Sequence, residues 1–210
     1  MTHIIIGLML VIFIPLALII TFNKIDEELN NKLKLTKLSI IIIIALGIIY
    51  SLLGYKAIQN EIQYINTMLI TGYLVFMSYT DQRTKLLYTS ISVIALLIEI
   101  VFIIQNYEST VQLFNDYTWT IFAIIVILGV MSMFRWIGSG DVLIYAVLSL
   151  YLIQYRTLPT MSLMINILIT NILFVIVTSI LKIIKHNKEK YQPLTIYITI
   201  STLICNMLLI

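Results

Sequence analysis

The sequence has few charged residues and almost no cysteine, and each shortage excludes a class of protein. Charged residues make up 11% of the 210 residues, whereas an ordinary soluble domain is about one quarter charged. The single cysteine, Cys205, allows neither an intramolecular disulfide nor a multi-cysteine metal site. The two histidines, His3 and His186, have no neighbours that would complete a metal site. We therefore expect neither a metal nor a cofactor.

Hydrophobic residues are abundant instead, at 60% of the chain, with a mean hydropathy of +1.04. Segments such as 38–50 and 120–133 have no polar face, so they need lipid or other helices on every side. The net charge of +3 comes from short basic clusters between apolar runs, where positive charge sets membrane orientation. The composition predicts an all-α, polytopic integral membrane protein and gives no reason to expect a nucleic-acid partner.

Eight apolar runs predict eight transmembrane helices. They cover residues 4–22, 38–55, 67–80, 86–105, 118–134, 142–155, 161–184 and 194–210. With the N-terminus outside, eleven of the 13 Lys and Arg residues fall on the cytoplasmic side, and only Lys56 and Arg156 fall outside. This asymmetry is the one that the positive-inside rule requires. The first run follows no basic segment, so we expect a retained anchor.

The chain has no internal repeat and no low-complexity linker. We expect one membrane domain, divided into a two-helix extension over residues 1–64 and a six-helix functional core over residues 65–210. This division assigns the first two apolar runs to the extension and the other six to the core.

Two aspartates stand at the ends of apolar runs. Asp81 closes the third run and Asp141 opens the sixth, so the topology places both at one depth on the cytoplasmic side. Two carboxyls that converge share one proton, so one can act as general base on a water while the other protonates a carbonyl oxygen. Because Asp141 starts a helix and Asp81 ends one, we expect Asp141 to ionise more readily. This pair predicts metal-independent peptide hydrolysis.

Gly138 and Gly140 precede Asp141. Without a Cβ atom they let the backbone bend and let another segment approach closely. The alternative interpretation is an ordinary loop with Asp141 as the helix N-cap. The matching depth of Asp81 favours catalysis.

The segments Ile137-Gly-Ser-Gly-Asp-Val142 and Asp81-Gln-Arg83 resemble the motifs of the type IV prepilin peptidases, membrane aspartyl proteases of the Gly-x-Gly-Asp class. The resemblance covers about residues 67–210. It implies that Asp81 and Asp141 are catalytic, supported by Gly138 and Gly140. It further implies cleavage of the short basic leader of prepilins or pseudopilins, in type IV pilus or competence systems, at the cytoplasmic face of the cell membrane.

Two positions depart from the family pattern. Tyr88 stands where a proline is expected, and Leu143 stands where a lysine is frequent; both bear on leader preference. Bifunctional relatives carry a cysteine tetrad in a cytoplasmic loop, whereas the loop at 23–37 is short and cysteine-free. We therefore expect no methyltransferase activity.

Two other functions stay open at this point. A proton- or ion-coupled transporter would use Asp81 and Asp141 as a carboxylate relay, although such relays favour positions near the midplane of the bilayer. A non-catalytic pilus or competence assembly factor would keep the fold without the reaction. Glu99 lies within the fourth run, far from both aspartates in the topology, and we assign it no catalytic role.

Overall fold

The computed structural model describes residues 2–25, 35–58, 60–84, 89–134, 137–155, 158–185 and 194–208. These residues form eight α-helices and, within the described ranges, no strand. The helices are α1 (Thr2–Ile25), α2 (Lys37–Ala57), α3 (Glu61–Thr84), α4 (Thr89–Gln105), α5 (Tyr107–Met133), α6 (Ser139–Tyr155), α7 (Pro159–Lys185) and α8 (Thr195–Leu208). The predicted all-α class is confirmed for this part of the chain.

Among the described residues, three helices are long and apolar enough to cross a membrane: His3–Lys24 in α1, Asp116–Met133 in α5 and Pro159–Ile180 in α7. Shorter apolar segments occupy α2, α4, α6 and α8. Many large aliphatic side chains on these helices are exposed, which suits contact with lipid and not with water. The chain is an integral membrane protein, while the count of eight spans and the outside N-terminus stay predictions.

Helix α3 differs from the apolar spans because other helices surround it. It packs against α1, α2 and α8, and nearly every residue from Tyr64 to Asp81 is buried. A helix enclosed in this way tolerates polar side chains that find partners. The hydroxyls of Thr67 and Thr71 donate to carbonyls one turn earlier in the same helix, each at 2.7 Å. The helices that enclose α3 therefore hold its C-terminal turn, which carries Asp81, in a fixed position.

The chain divides into two compact units. The first consists of Met1–Leu86 and Leu173–Ile210, and the second of Leu87–Ile172. Asp81 therefore belongs to the first unit and Asp141 to the second. The predicted division between residues 1–64 and 65–210 stays a prediction.

Close contact between α1 and α3 holds the first unit together. Gly7 of α1 lies against the hydroxyl of Tyr64, leaving no room for a Cβ atom. A Cβ atom on Gly72 of α3 would lie 3.0 Å from the carbonyl oxygen of Leu10. Tyr64 also forms a 2.7 Å hydrogen bond with Ser51 of α2. Small residues at helix crossings allow this close approach in membrane proteins, where the hydrophobic effect does not drive helices together.

Candidate active site

Asp81 lies in the last turn of α3 with its side chain fully buried, at 0% exposure. Its Oδ2 atom accepts a hydrogen bond of 3.3 Å from the backbone N–H of Thr195. Thr195 is the first residue of α8, where N–H groups have no acceptor within their own helix. The Asp81 carboxylate therefore supplies the acceptor that the start of α8 lacks.

Two hydroxyl side chains join α3 to α8 beside this contact. The Oγ atom of Ser78 lies 2.5 Å from Oγ1 of Thr199. Ser78 precedes Asp81 by one turn, and Thr199 follows Thr195 by one turn. The Thr199 hydroxyl also lies within hydrogen-bond distance of the Leu74 and Thr195 carbonyl oxygens, at 3.3 and 3.0 Å. The contact between α3 and α8 is thus polar beside Asp81.

These supporting residues were not predicted from the sequence. Ser78 lies three residues before Asp81, and Thr199 lies four residues after Thr195, so each pair lies on one face of its helix. In the sequence, however, the Ser78–Asp81 pair is more than a hundred residues away from the Thr195–Thr199 pair. The expectation that Asp81 ionises less readily than Asp141 rests on the dipole of α3 alone. Because α8 directs its N-terminus at the same carboxylate, it supplies an opposing, favourable field. The dipole of α3 alone therefore does not distinguish the two aspartates.

Asp141 is the third residue of α6, and its side chain is 4% exposed. Its backbone N–H donates to the Gly138 carbonyl at 3.1 Å. Because α6 already begins at Ser139, Asp141 lies inside the first turn and is not the N-cap residue. The dipole of α6 favours an anionic side chain in that turn.

The Asp141 carboxylate folds back over Gly138. A Cβ atom placed on Gly138 would lie 2.8 Å from Oδ2 of Asp141, which is closer than real side chains approach. Gly138, the first glycine of the motif, therefore leaves the space that the Asp141 carboxylate occupies. Gly140 is the second residue of α6, and Leu143 is half-buried in the same helix. Tyr88 lies outside the described residues.

Helix α6 is held on the side of α7 by a polar contact one turn after Asp141. Tyr145 is 1% exposed and forms a side-chain hydrogen bond with Thr170. The Thr170 hydroxyl in turn donates to the Asn166 carbonyl at 2.8 Å. These residues all belong to the second unit, so they fix the orientation of Asp141 within it.

Glu99 of α4 forms a hydrogen bond with a residue near the C-terminal end of α6. The carboxylate is fully buried and accepts a 2.7 Å hydrogen bond from Nε2 of Gln154. Gln154 follows Asp141 by 13 residues, which is about 20 Å along a helix. The position of Glu99 on α4 thus favours a structural role, joining α4 to α6.

We expect Glu99→Leu to destabilise the folded protein by about 1 kcal/mol, because the buried Gln154 amide loses one of its two acceptors and keeps only the Leu150 carbonyl. Glu99→Gln keeps an acceptor oxygen and should cost less. The measurement is reversible unfolding in mixed micelles at increasing dodecyl sulfate. Loss of activity in folded Glu99→Gln protein would instead give Glu99 a part in the chemistry.

Within the described residues, no three His, Cys, Asp or Glu side chains group together as metal ligands. Asp81 and Asp141 are the buried carboxyls that the described residues place at the two motifs. A carboxyl in such a position can exchange a proton with water or with a substrate carbonyl without a metal.

The chain matches the model of the type IV leader peptidase family over residues 68–184, more than half of its length. It belongs to the type IV leader peptidase family. No curated protein and no solved structure matches the chain. The range matched to the leader peptidases contains Asp81, Asp141 and the motif glycines Gly138 and Gly140. The resemblance stated from the two motifs is confirmed, and membership makes the chain a peptidase of the leader-peptidase kind.

Proposed function

We propose that this leader peptidase is an aspartic endopeptidase that removes the short basic leader of prepilins or pseudopilins, with Asp81 and Asp141 as its catalytic pair. The observation that carries the proposal is the setting of the two motif aspartates. Each is buried in a terminal helix turn and directed at a helix start, and both fall inside the family match. Buried carboxyls in such places are typical of acid–base catalysis and are costly to keep otherwise.

The reaction needs one ionised and one protonated carboxyl. The ionised member takes a proton from water as the water oxygen attacks the scissile carbonyl carbon, and the protonated member donates to the carbonyl oxygen. The tetrahedral intermediate then collapses: one of its hydroxyls returns a proton to the ionised carboxyl, the C–N bond breaks, and the leaving amine takes the proton of the other carboxyl. One water is consumed, and no cofactor, metal or covalent enzyme intermediate takes part.

We further propose eight spans with the N-terminus outside and both aspartates at the cytoplasmic face of the cell membrane. The charge distribution supports this arrangement, because it leaves eleven of 13 basic residues on the side of Asp81 and Asp141. The partners are then leader peptides presented at that face, with the bilayer around the helices. Residues 65–210 would form the catalytic core, without methyl transfer.

A carboxylate relay for ion transport receives less support. Such relays lie near the middle of the bilayer, beside helices that are interrupted there. Asp81 and Asp141 instead occupy the last turn of α3 and the first turn of α6, and both helices are continuous. Their positions suit a substrate that is cut at a membrane surface.

The direct test uses the purified full chain in phospholipid vesicles with a recombinant pseudopilin that carries its leader. We expect mass spectrometry to show the free leader and one new N-terminus. Proteoliposomes with a pH-sensitive dye inside provide the competing measurement. Proton flux without cleavage of any competence, pilus or secretion leader would overturn the proposal in favour of the relay.

The N–H of Thr195 provides a separate test of how Asp81 is held. Proline is tolerated at the first residue of a helix, so Thr195→Pro removes the donor to Asp81 while leaving α8 able to form. We expect kcat for leader cleavage to fall about tenfold, because a hydrogen bond to a charged group is lost. Thr195→Val is the matched control, since it loses the hydroxyl and keeps the N–H. Equal losses in both variants would mean that packing, not the N–H, supports Asp81.

A further inference from the structure

The first unit contains a cavity of about 290 Å³ between α1, α2, α3 and α8. This is roughly ten times the volume that one water occupies in the liquid, ~30 Å³. Most of its wall is apolar. The aliphatic residues are Val11, Ile42, Ile43, Leu46, Val75, Ile196, Ile200 and Leu203. Such a wall offers water too few hydrogen-bond partners, so the natural occupant of the cavity is apolar over most of its length.

One end of the cavity is polar and positively charged. Ser39, the third residue of α2, and Gln82 and Arg83, in the last turn of α3, all line it there. Gln82 and Arg83 are exposed, and the Arg83 guanidinium lies 5.8 Å from the ring centroid of Tyr79. Lys37 begins α2 two residues before Ser39 and adds a second positive charge to this end of the helix. The cavity is therefore amphiphilic, with a cationic mouth.

The apolar part of the cavity opens towards the surface that α2 and α8 present. Its wall residues Ile42, Leu46 and Ile200 remain 48%, 42% and 40% exposed. In a membrane protein such a surface faces lipid, so an acyl chain can enter from the side. A helix is about 10 Å across with its side chains, so a volume of about 290 Å³ holds less than one helical turn, whereas one flexible chain fits.

We propose that the cavity binds an acyl chain of an anionic phospholipid, whose phosphate lies at Arg83. Basic pockets between membrane helices at the cytoplasmic end recognise anionic head groups, and arginine matches phosphate with two parallel hydrogen bonds. The wall also includes Ser78 and Thr199, the two hydroxyl residues that join α3 to α8 beside Asp81. The lipid thus contacts the helix pair that holds this aspartate, and the binding proposal itself does not rest on proteolysis.

The test uses the full chain in phosphatidylcholine nanodiscs that contain a small fraction of phosphatidylglycerol with a photoreactive diazirine in its acyl chain. After irradiation, peptide mass spectrometry should place the label within residues 42–46 and 196–203. Leu46→Trp and Ile200→Trp each fill the cavity and should lower this labelling about tenfold. Ile41→Trp is the matched control, because Ile41 lies on α2, is 61% exposed and does not line the cavity.

The head-group part of the proposal is tested by charge. Arg83→Gln should reduce the preference for the phosphatidylglycerol probe over a phosphatidylcholine probe about fivefold. Lys24→Gln removes one positive charge from the last turn of α1, where Lys24 does not line the cavity, and should leave the preference unchanged. Absence of label from both segments, or equal labelling of Leu46→Trp, Ile200→Trp and Ile41→Trp, would overturn the site. An unchanged preference in Arg83→Gln would overturn the anionic head group.

Discussion

Replacing Asp81 or Asp141 with asparagine should lower leader cleavage by about 10³-fold or more, without loss of folded protein. Asparagine has the shape of aspartate but neither takes nor gives a proton in this reaction. Each carboxyl has a different task in the proposed mechanism, so neither can replace the other. Because the two act as one unit, the double variant should be no worse than either single variant.

The measurement is single-turnover cleavage of a reconstituted pseudopilin, followed by mass spectrometry of the leader. Glu99→Gln is the matched control, since it neutralises a buried carboxyl on α4 that pairs with Gln154 instead. Folding of all variants is compared by circular dichroism and by gel filtration in detergent. Substantial cleavage by either folded aspartate variant would remove that residue from the catalytic pair.

Gly138→Ala should reduce cleavage by about 10- to 100-fold while leaving stability nearly unchanged. The new methyl group would lie 2.8 Å from Oδ2 of Asp141, so the carboxylate at the end of this side chain must shift. A displacement of about 1 Å at a reacting group costs roughly 10²-fold in rate. The loss should appear in kcat, because the substitution moves a reacting group and not a binding surface.

Gly129→Ala supplies the control for this prediction. Gly129 lies in α5, and a Cβ atom added there would have no neighbour within 4 Å. The same substitution should therefore leave activity unchanged and raise stability by about 0.5–1 kcal/mol, because alanine is the better helix former. If Gly138→Ala cleaves at the normal rate, the position of Asp141 over Gly138 is not the one used in catalysis. If Gly138→Ala fails to fold while Gly129→Ala folds, the glycine is structural.

The sequence predicted the lipid-facing helices well, because their only requirement is an unbroken apolar surface. The run at 86–105 corresponds to α4 (Thr89–Gln105), and the run at 161–184 corresponds to α7 (Pro159–Lys185). The enclosed helix was harder. The apolar run at 67–80 predicts a short span, whereas α3 extends over Glu61–Thr84, because the helix continues through exposed polar residues such as Glu61, Gln82 and Arg83 beyond its apolar run.

The sequence-based prediction of the candidate site comprises the two aspartates and the two motif glycines, Gly138 and Gly140. Asp81 and Asp141 could be identified from their places at the ends of apolar runs, since charged groups are rare in such a chain. Thr195 could not be identified, because it acts through its backbone N–H, a group that every residue except proline has. The close fit of the Asp141 carboxylate over Gly138 was hidden for a similar reason: a glycine suggests flexibility and space alike.

The contact between Asp81 and Thr195 also bears on how the protein is made. The two residues are 114 positions apart, and all of α4 to α7 is synthesised between them. The carboxylate on α3 therefore enters the membrane long before the helix start that holds it exists. A nascent chain that has threaded its first helices cannot yet hold Asp81 in its final place, so the ribosome must finish the start of α8 before this half of the site is assembled. Order of synthesis thus delays the peptidase until most of its membrane fold is in place.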